Sequence, residues 1–181
     1  MTRGPADRPV LVPDLPFPPY AFVPGRFPHP TADPAGHSFG IPSGPFAVPD
    51  PERWQECFAY LRGIDLFNHG FYWEAHEAWE GLWHACGRHG RIADFLKGLI
   101  QLAAAGVKVR EGQAAGVRGH AHRAAELFRD VASGSADRHL MGLSLDDLAT
   151  WAEEVGRQPP AMSRPNALVE IVFRFVLRPQ G

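Results

Sequence analysis

The sequence predicts an all-α fold: a compact bundle of about five helices, with an extended proline-rich arm before it and a short extended segment after it. Three observations carry this. Thirteen of the 18 prolines fall in the first fifty residues, where neither a helix nor a central strand can form. Apolar residues then recur at helical spacing from Trp54 to Val155. The stretch Leu168 to Leu177 turns β-branched and aromatic, which favours extended chain over helix. The expected division is 1–49 for an arm packed on the body, 50–157 for the bundle and 158–181 for the C-terminal extended segment.

A chain of 181 residues with 45% hydrophobic and 21% charged side chains suffices for one core and one domain. With 18 basic against 20 acidic residues, a net charge of −2, it carries no field that would draw in a polyanion, so nucleic acid is not an expected partner. No stretch reaches the roughly twenty apolar residues of a membrane span, and the start lacks a secretory signal. A cytoplasmic protein is expected. Cys57 and Cys86 are the two cysteines, too few for a disulfide framework and without structural zinc spacing, and read as buried reduced thiols.

The arm still carries Phe17, Tyr20, Phe22, Phe27, Phe39 and Phe46. Disordered tails are poor in aromatics, so at least Tyr20 to Phe46 is expected to pack on the helices. Asp50, Pro51 and Glu52 supply an N-cap, a first-turn proline and a first-turn acid for a helix with Trp54, Phe58, Leu61, Ile64 and Phe67 inward, ending by Gly70. The second helix runs Tyr72 to Ala85 and stops at Gly87. A third, about Ile92 to Glu111, is expected to be the most buried, with Phe95, Leu96, Leu99, Ile100, Ala103 and Val107 facing in and Lys97, Gln101 and Lys108 facing out. A fourth, about Gln113 to Ala132, turns Val117, Ala121, Ala124, Phe128 and Val131 inward. Ser144 to Asp147 resembles a capping box opening a fifth, with Leu148, Trp151 and Val155 docking before Gly156 ends it. In the last segment Val169, Ile171, Phe173, Phe175 and Leu177 alternate, as in a strand lying beside the arm.

The second helix holds the chemistry. At 100° per residue from Trp73, His76 falls at about 300°, Glu80 at about 340°, His84 at about 20° and Glu77 at about 40°. His76 and Glu80, four apart, can share one cation, with Glu77 placed as a base or supporting carboxylate. Trp73 lies within this stripe and Trp83 borders it. His76-Glu77-Ala78-Trp79-Glu80 departs from the zinc-protease pattern by a Glu where the second His belongs. The Glu-x-x-His pair of di-iron bundles is absent too, since Gly81 precedes His84 by three and Trp73 precedes His76 by three. The competing reading is structural: His and Glu four apart pair on solvated faces, and tryptophans at helical intervals build cores.

The arm adds His29 and His37 around Asp33 in a proline-stiffened loop that could fold across this helix and close the stripe; equally, they could satisfy loop backbone groups. His120, His122 and His139 read as surface residues. Gln101 is placed to hydrogen-bond a carboxylate of the second helix.

The stretch Phe67-Asn68-His69-Gly70-Phe71-Tyr72-Trp73-Glu74-Ala75-His76-Glu77-Ala78-Trp79-Glu80-Gly81-Leu82-Trp83, with Phe95 to Ala105 downstream, resembles the family known as domain of unknown function 309. The resemblance covers about residues 54 to 112, and more loosely to about 132. It implies a compact helical bundle and no particular activity, with Glu74, His76, Glu77, Glu80, Trp83 and Gln101 at motif positions.

Two functional expectations follow. The leading one is a binding module that uses the groove beside helix 72–85, with Trp73, Glu74, Trp83, Gln101, His29 and His37 as binding residues and a small molecule or protein as partner; a homodimer is compatible with it. The alternative is a metal-dependent or acid/base enzyme, hydrolase-like, on a small molecule, with His76 and Glu80 holding a divalent metal and Glu77 as base.

Overall fold

The computed structural model describes residues 7–161 and 164–181. The first six residues of the expected arm, and residues 162–163 of the expected C-terminal segment, lie outside them. The fold is all-α. Among the described residues five α-helices follow a short 3-10 helix, Pro51–Glu56: α1 (Phe58–Asn68), α2 (Tyr72–Ala85), α3 (Arg91–Arg110), α4 (Ala114–Ser133) and α5 (Leu145–Arg157). None is long and apolar enough to cross a membrane.

The helices pack in chain order, α1 on α2, α3 between α2 and α4, and α5 against α4. Thirteen of the twenty residues of α3 are buried, which makes it the central helix, as its broad apolar face predicts. The predicted inward residues of α4 are all buried. Ser144 caps α5, its Oγ accepting the Asp147 N–H at 3.2 Å; Gly156 lies inside the last turn, not beyond it. Close approach of α1 and α2 depends on Gly63. A Cβ there would stand 2.2 Å from Trp79 Nε1, so the missing side chain is the slot into which the fully buried Trp79 fits.

Three expectations need correction. The helix opening at Asp50 is not continuous: Asp50 does cap, with Oδ1 accepting the Glu52 N–H at 3.0 Å, but Arg53 leaves helical geometry and Cys57 separates the 3-10 turn from α1. The break turns Trp54 onto Tyr60, edge-on at 6.4 Å, and leaves Phe58, predicted inward, exposed. A two-residue antiparallel hairpin, β1 (His139–Leu140) with β2 (Leu143–Ser144), appears where no strand was expected, turned by Met141 and Gly142 at positive φ. The C-terminal segment is extended but pairs with no strand. Its alternation fails, with Val176 and Leu177 both buried and Ile171 exposed.

The reason is that side chains, not strands, satisfy the extended chain. Asp65 accepts the N–H groups of Leu11 and Val12, each at 2.8 Å. Arg62 donates to the carbonyls of Leu15 and Pro16. The Asn68 amide exchanges both bonds with the Leu177 backbone at 2.9 Å, and Tyr72 Oη accepts from Val172 at 2.9 Å and more weakly from Phe173. Among the described residues one backbone bond, Ala21 N–H to Leu168 O at 2.9 Å, joins arm to tail. Of the arm aromatics, Phe22 is buried and Phe17 stacks on Phe71, whereas Phe39 is exposed.

Replacing Asp65 by Ala orphans two backbone donors and is expected to lower stability by about 3 kcal/mol, with a smaller loss for Asp65→Asn, read from denaturant midpoints. Burial pushes the Tyr72 hydroxyl up to about 12. Below the unfolded value near 10 the group is protonated in both states; between there and pH 12 the unfolded chain releases its proton first, so stability falls as pH rises. Tyr72→Phe is expected to remove about 2 kcal/mol of that alkaline loss, checked by denaturant melts from pH 9 to 12.

Candidate functional site

The surroundings of α2 divide its circumference. Tyr72, Ala75, Trp79 and Leu82 face the core. The arm covers one flank: Phe22 N–H donates to Glu74 Oε1 at 2.9 Å, and Phe46 lies so close to Gly81 that a Cβ there would meet its ring at 2.4 Å. On the other flank is α3, with Lys97 Nζ 4.2 Å over the Trp83 ring. Between them remains a ridge with His76, Glu77 and Glu80, whose donor atoms all lie within 4.8 Å of one another.

Within the ridge His76 Nδ1 is 3.4 Å from Glu77 Oε1. That contact is too long and poorly directed for a hydrogen bond, and the nitrogen is buried with no other partner. It is a ring nitrogen held beside a carboxylate and shielded from solvent. His84, the remaining member of the predicted stripe, is elsewhere: its Nδ1 accepts from Arg88 Nε at 3.0 Å, which turns it out of the cluster. The stripe therefore contracts from four polar groups to three.

The arm does fold onto α2, but beside the cluster. His37 Nε2 is 3.0 Å from Glu74 Oε1, with both side chains buried, so Glu74 anchors the arm. Glu74 Oε2 is buried without a hydrogen bond. His29 packs edge-on to Trp73 at 5.3 Å while its Nδ1 accepts the Ala32 N–H at 3.2 Å, the loop-backbone role. Neither histidine joins the three donors. The groove beside α2, about 760 Å³, opens on the arm flank, where Phe46, Val48, Phe58, Ala78 and Leu82 form an apolar floor and Asp50, Arg53, Glu56 and Arg62 add charge to the lining. The polar ridge is thus not part of that groove, contrary to the expected single groove between Trp73 and Trp83.

Beyond α3 the structure adds a residue that sequence reasoning placed on the surface. Past Asp94, the residues of α3 that are not buried are Lys97, Gln101, Ala104 and Lys108, one narrow strip. Lys97 leans on α2, and Lys108 packs its aliphatic chain toward Gly116 of α4. Gln101 Oε1 is 2.7 Å from His120 Nδ1 on α4. Gln101 therefore serves a histidine of α4 and not a carboxylate of α2. Burial pushes His120 below the ordinary imidazole value, and the charges of Lys108 and His76 push it the same way. The signal was in the pattern, since His120 stands three residues after Val117 and four before Ala124, at the border of the buried face.

Residues 60–119 match the family model described as Domain of unknown function (DUF309). The match agrees with the expected span of about 54 to 112, with looser likeness to about 132; it begins in α1 and ends in α4, one residue before His120. The matched segment contains the whole α2 cluster, Glu74 and Gln101, while the arm, the hairpin, α5 and the tail lie outside it. No curated protein matches the chain.

Both cysteines are half-buried and free. Burial pushes each thiol up, away from the thiolate that nucleophilic chemistry requires. His120 is expected to titrate below 6.5, and Lys108→Ala to raise its midpoint by removing a repelling charge, as followed through the ring signals by NMR.

Proposed function

We propose that this protein is a binding module and that the ligand of its α2 ridge is a divalent cation. The carrying observation is the donor set itself: one imidazole and two carboxylates from a single helix, converging within 4.8 Å, with the His76 Nδ1 atom buried and unsatisfied. Nitrogen and oxygen donors at this spacing suit a zinc-like or manganese-like ion, and three protein donors leave coordination positions open. His76 and Glu80 would be the first ligands, four apart on the α3 side of the ridge. Glu77, the more exposed carboxylate, would complete the set from the arm side.

The flanks support the same reading. The arm, seated on α2 through Glu74 and Gly81, and α3, seated through Trp83, hold the helix from both sides, so the ridge is presented on a rigid element. Binding, not turnover, is the reading, because the residues assembled here supply donors and no activated nucleophile.

Equilibrium dialysis of chelator-free protein against Zn²⁺ and Mn²⁺ tests this. One ion per chain is expected, with affinity falling at least about 100-fold in His76→Ala and Glu80→Gln while the melting temperature without metal changes little. Absence of saturable uptake by the unsubstituted chain, or equal uptake by both variants, would overturn the reading.

A further inference from the structure

The hairpin, the first two turns of α5 and the tail, all beyond the matched residues 60–119, enclose a cavity of about 370 Å³. That is at the small end of the roughly 300–1,000 Å³ of ligand pockets. Its frame is fixed by contacts. Gln180 N–H donates to Gly142 O at 2.8 Å, a Cβ on Gly142 would stand 2.9 Å from Pro179, and Trp151 stacks on Phe175 at 4.8 Å with the rings 9° apart. The tail is thereby tied both to the hairpin and to α5.

The lining divides by chemistry. Leu143, Leu148, Trp151 and Val176 supply apolar surface. Arg174 and Arg178 add two cations, against which Asp147 is the one carboxylate of the lining. The neighbouring Asp146 is already held by Arg138. A chain with a net charge of −2 thus gathers positive charge at this cavity. Donors are also left over. Arg178 gives one N–H to the Asp7 carbonyl and keeps the rest. Ser144 Oγ accepts from the Asp147 N–H, so its own proton is available to donate. Among the described residues, the Arg174 guanidinium and the Trp151 indole N–H meet no acceptor in the protein. Unspent donors and a guanidinium beside apolar surface suit a ligand with an anionic, acceptor-rich head and an apolar body.

We infer that this cavity binds a small organic carboxylate with an apolar body. Arg174 takes the carboxylate, Arg178 supports the charge, and the body lies against Trp151, Leu148 and Val176. A planar carboxylate matches the two parallel N–H donors of a guanidinium. Asp147, in the same lining, disfavours a second negative charge, so a monocarboxylate is the ligand and not a phosphate dianion. The site is independent of the α2 ridge, since His76, Glu77 and Glu80 take no part in its lining.

The test uses the full chain, free of added metal, with phenylacetate and hexanoate as probes. Phenylacetamide removes the charge, acetate removes the body, and inorganic phosphate supplies an anion of the wrong kind. NMR follows the Trp151 indole signal, identified by its loss in Trp151→Phe, and the backbone amides of residues 143–148 and 174–178. At least one of the two probes is expected to shift these signals saturably and to bind about 10-fold or more tightly than each comparator. Arg174→Ala should weaken that binding about 10-fold, and Arg174→Lys by less, because an ammonium keeps the charge and loses the paired donors. The melting temperature should not change, because Arg174 is exposed and holds no partner. If neither probe shifts the signals, if phenylacetamide or phosphate binds as well as the probes, or if Arg174→Ala binds as the parent does, the inference is overturned.

Discussion

The structure depends on buried side chains of α1 and α2 doing for the extended segments what a β-ladder would otherwise do. An arm with prolines every few residues lacks the donors to enter a sheet, and yet its backbone is brought against a core where unpaired groups are costly. Asp65, Arg62 and Asn68 resolve this from three turns of one helix, taking Leu11, Val12, Leu15, Pro16 and Leu177. Tyr72 and Glu74 continue the series on α2, taking Val172 and Phe22. Arg8 and Arg110 complete it from the arm and from α3, donating to the carbonyls of Phe173 and Ala167. Buried ionisable groups, which would weaken an ordinary core, here meet backbone dipoles of the extended segments.

This clasp fixes what α2 can show. With the arm drawn down by Glu74 and His37, and Phe46 in the notch left by Gly81, one flank of the helix is taken by the arm, which leaves the groove beside Ala78 and Leu82. The other is closed by α3 through Lys97 and Trp83. The ridge of His76, Glu77 and Glu80 stays open because it lies between two covered flanks. It borders α3, whose Gln101 in turn meets His120 of α4. The apolar face of the central helix builds the core, while its half-buried strip meets α2 through Lys97 and α4 through Gln101.

Much of the helical body was legible in the sequence because its signals are local. Gly87 ends α2 where predicted, Ser144 caps α5, and the 3.6-residue period marks the inward faces of α3 and α4. The grouping of His76, Glu77 and Glu80 was legible for the same reason, since i, i+1 and i+4 on one helix are neighbours whatever the tertiary fold. The failures were non-local. Phe58 shares a helical face with Trp54 only if the helix is continuous, and packing of Trp54 on Tyr60 breaks it. The alternation in Val169 to Leu177 promises a strand only if a strand lies beside it.

By itself, then, the sequence determined the all-α class, the helices from α2 onward and the three-donor ridge, all set by periodicity, caps and breakers within a few turns of chain. Only the tertiary structure decided the rest: that Glu74 anchors the arm, that His84 turns to Arg88, that His29 and His37 stop short of the donors, and that Gln101 orients His120. Each of these depends on which surfaces meet when arm, α2, α3 and α4 pack together. Contacts between residues tens of positions apart leave no periodic trace in the chain.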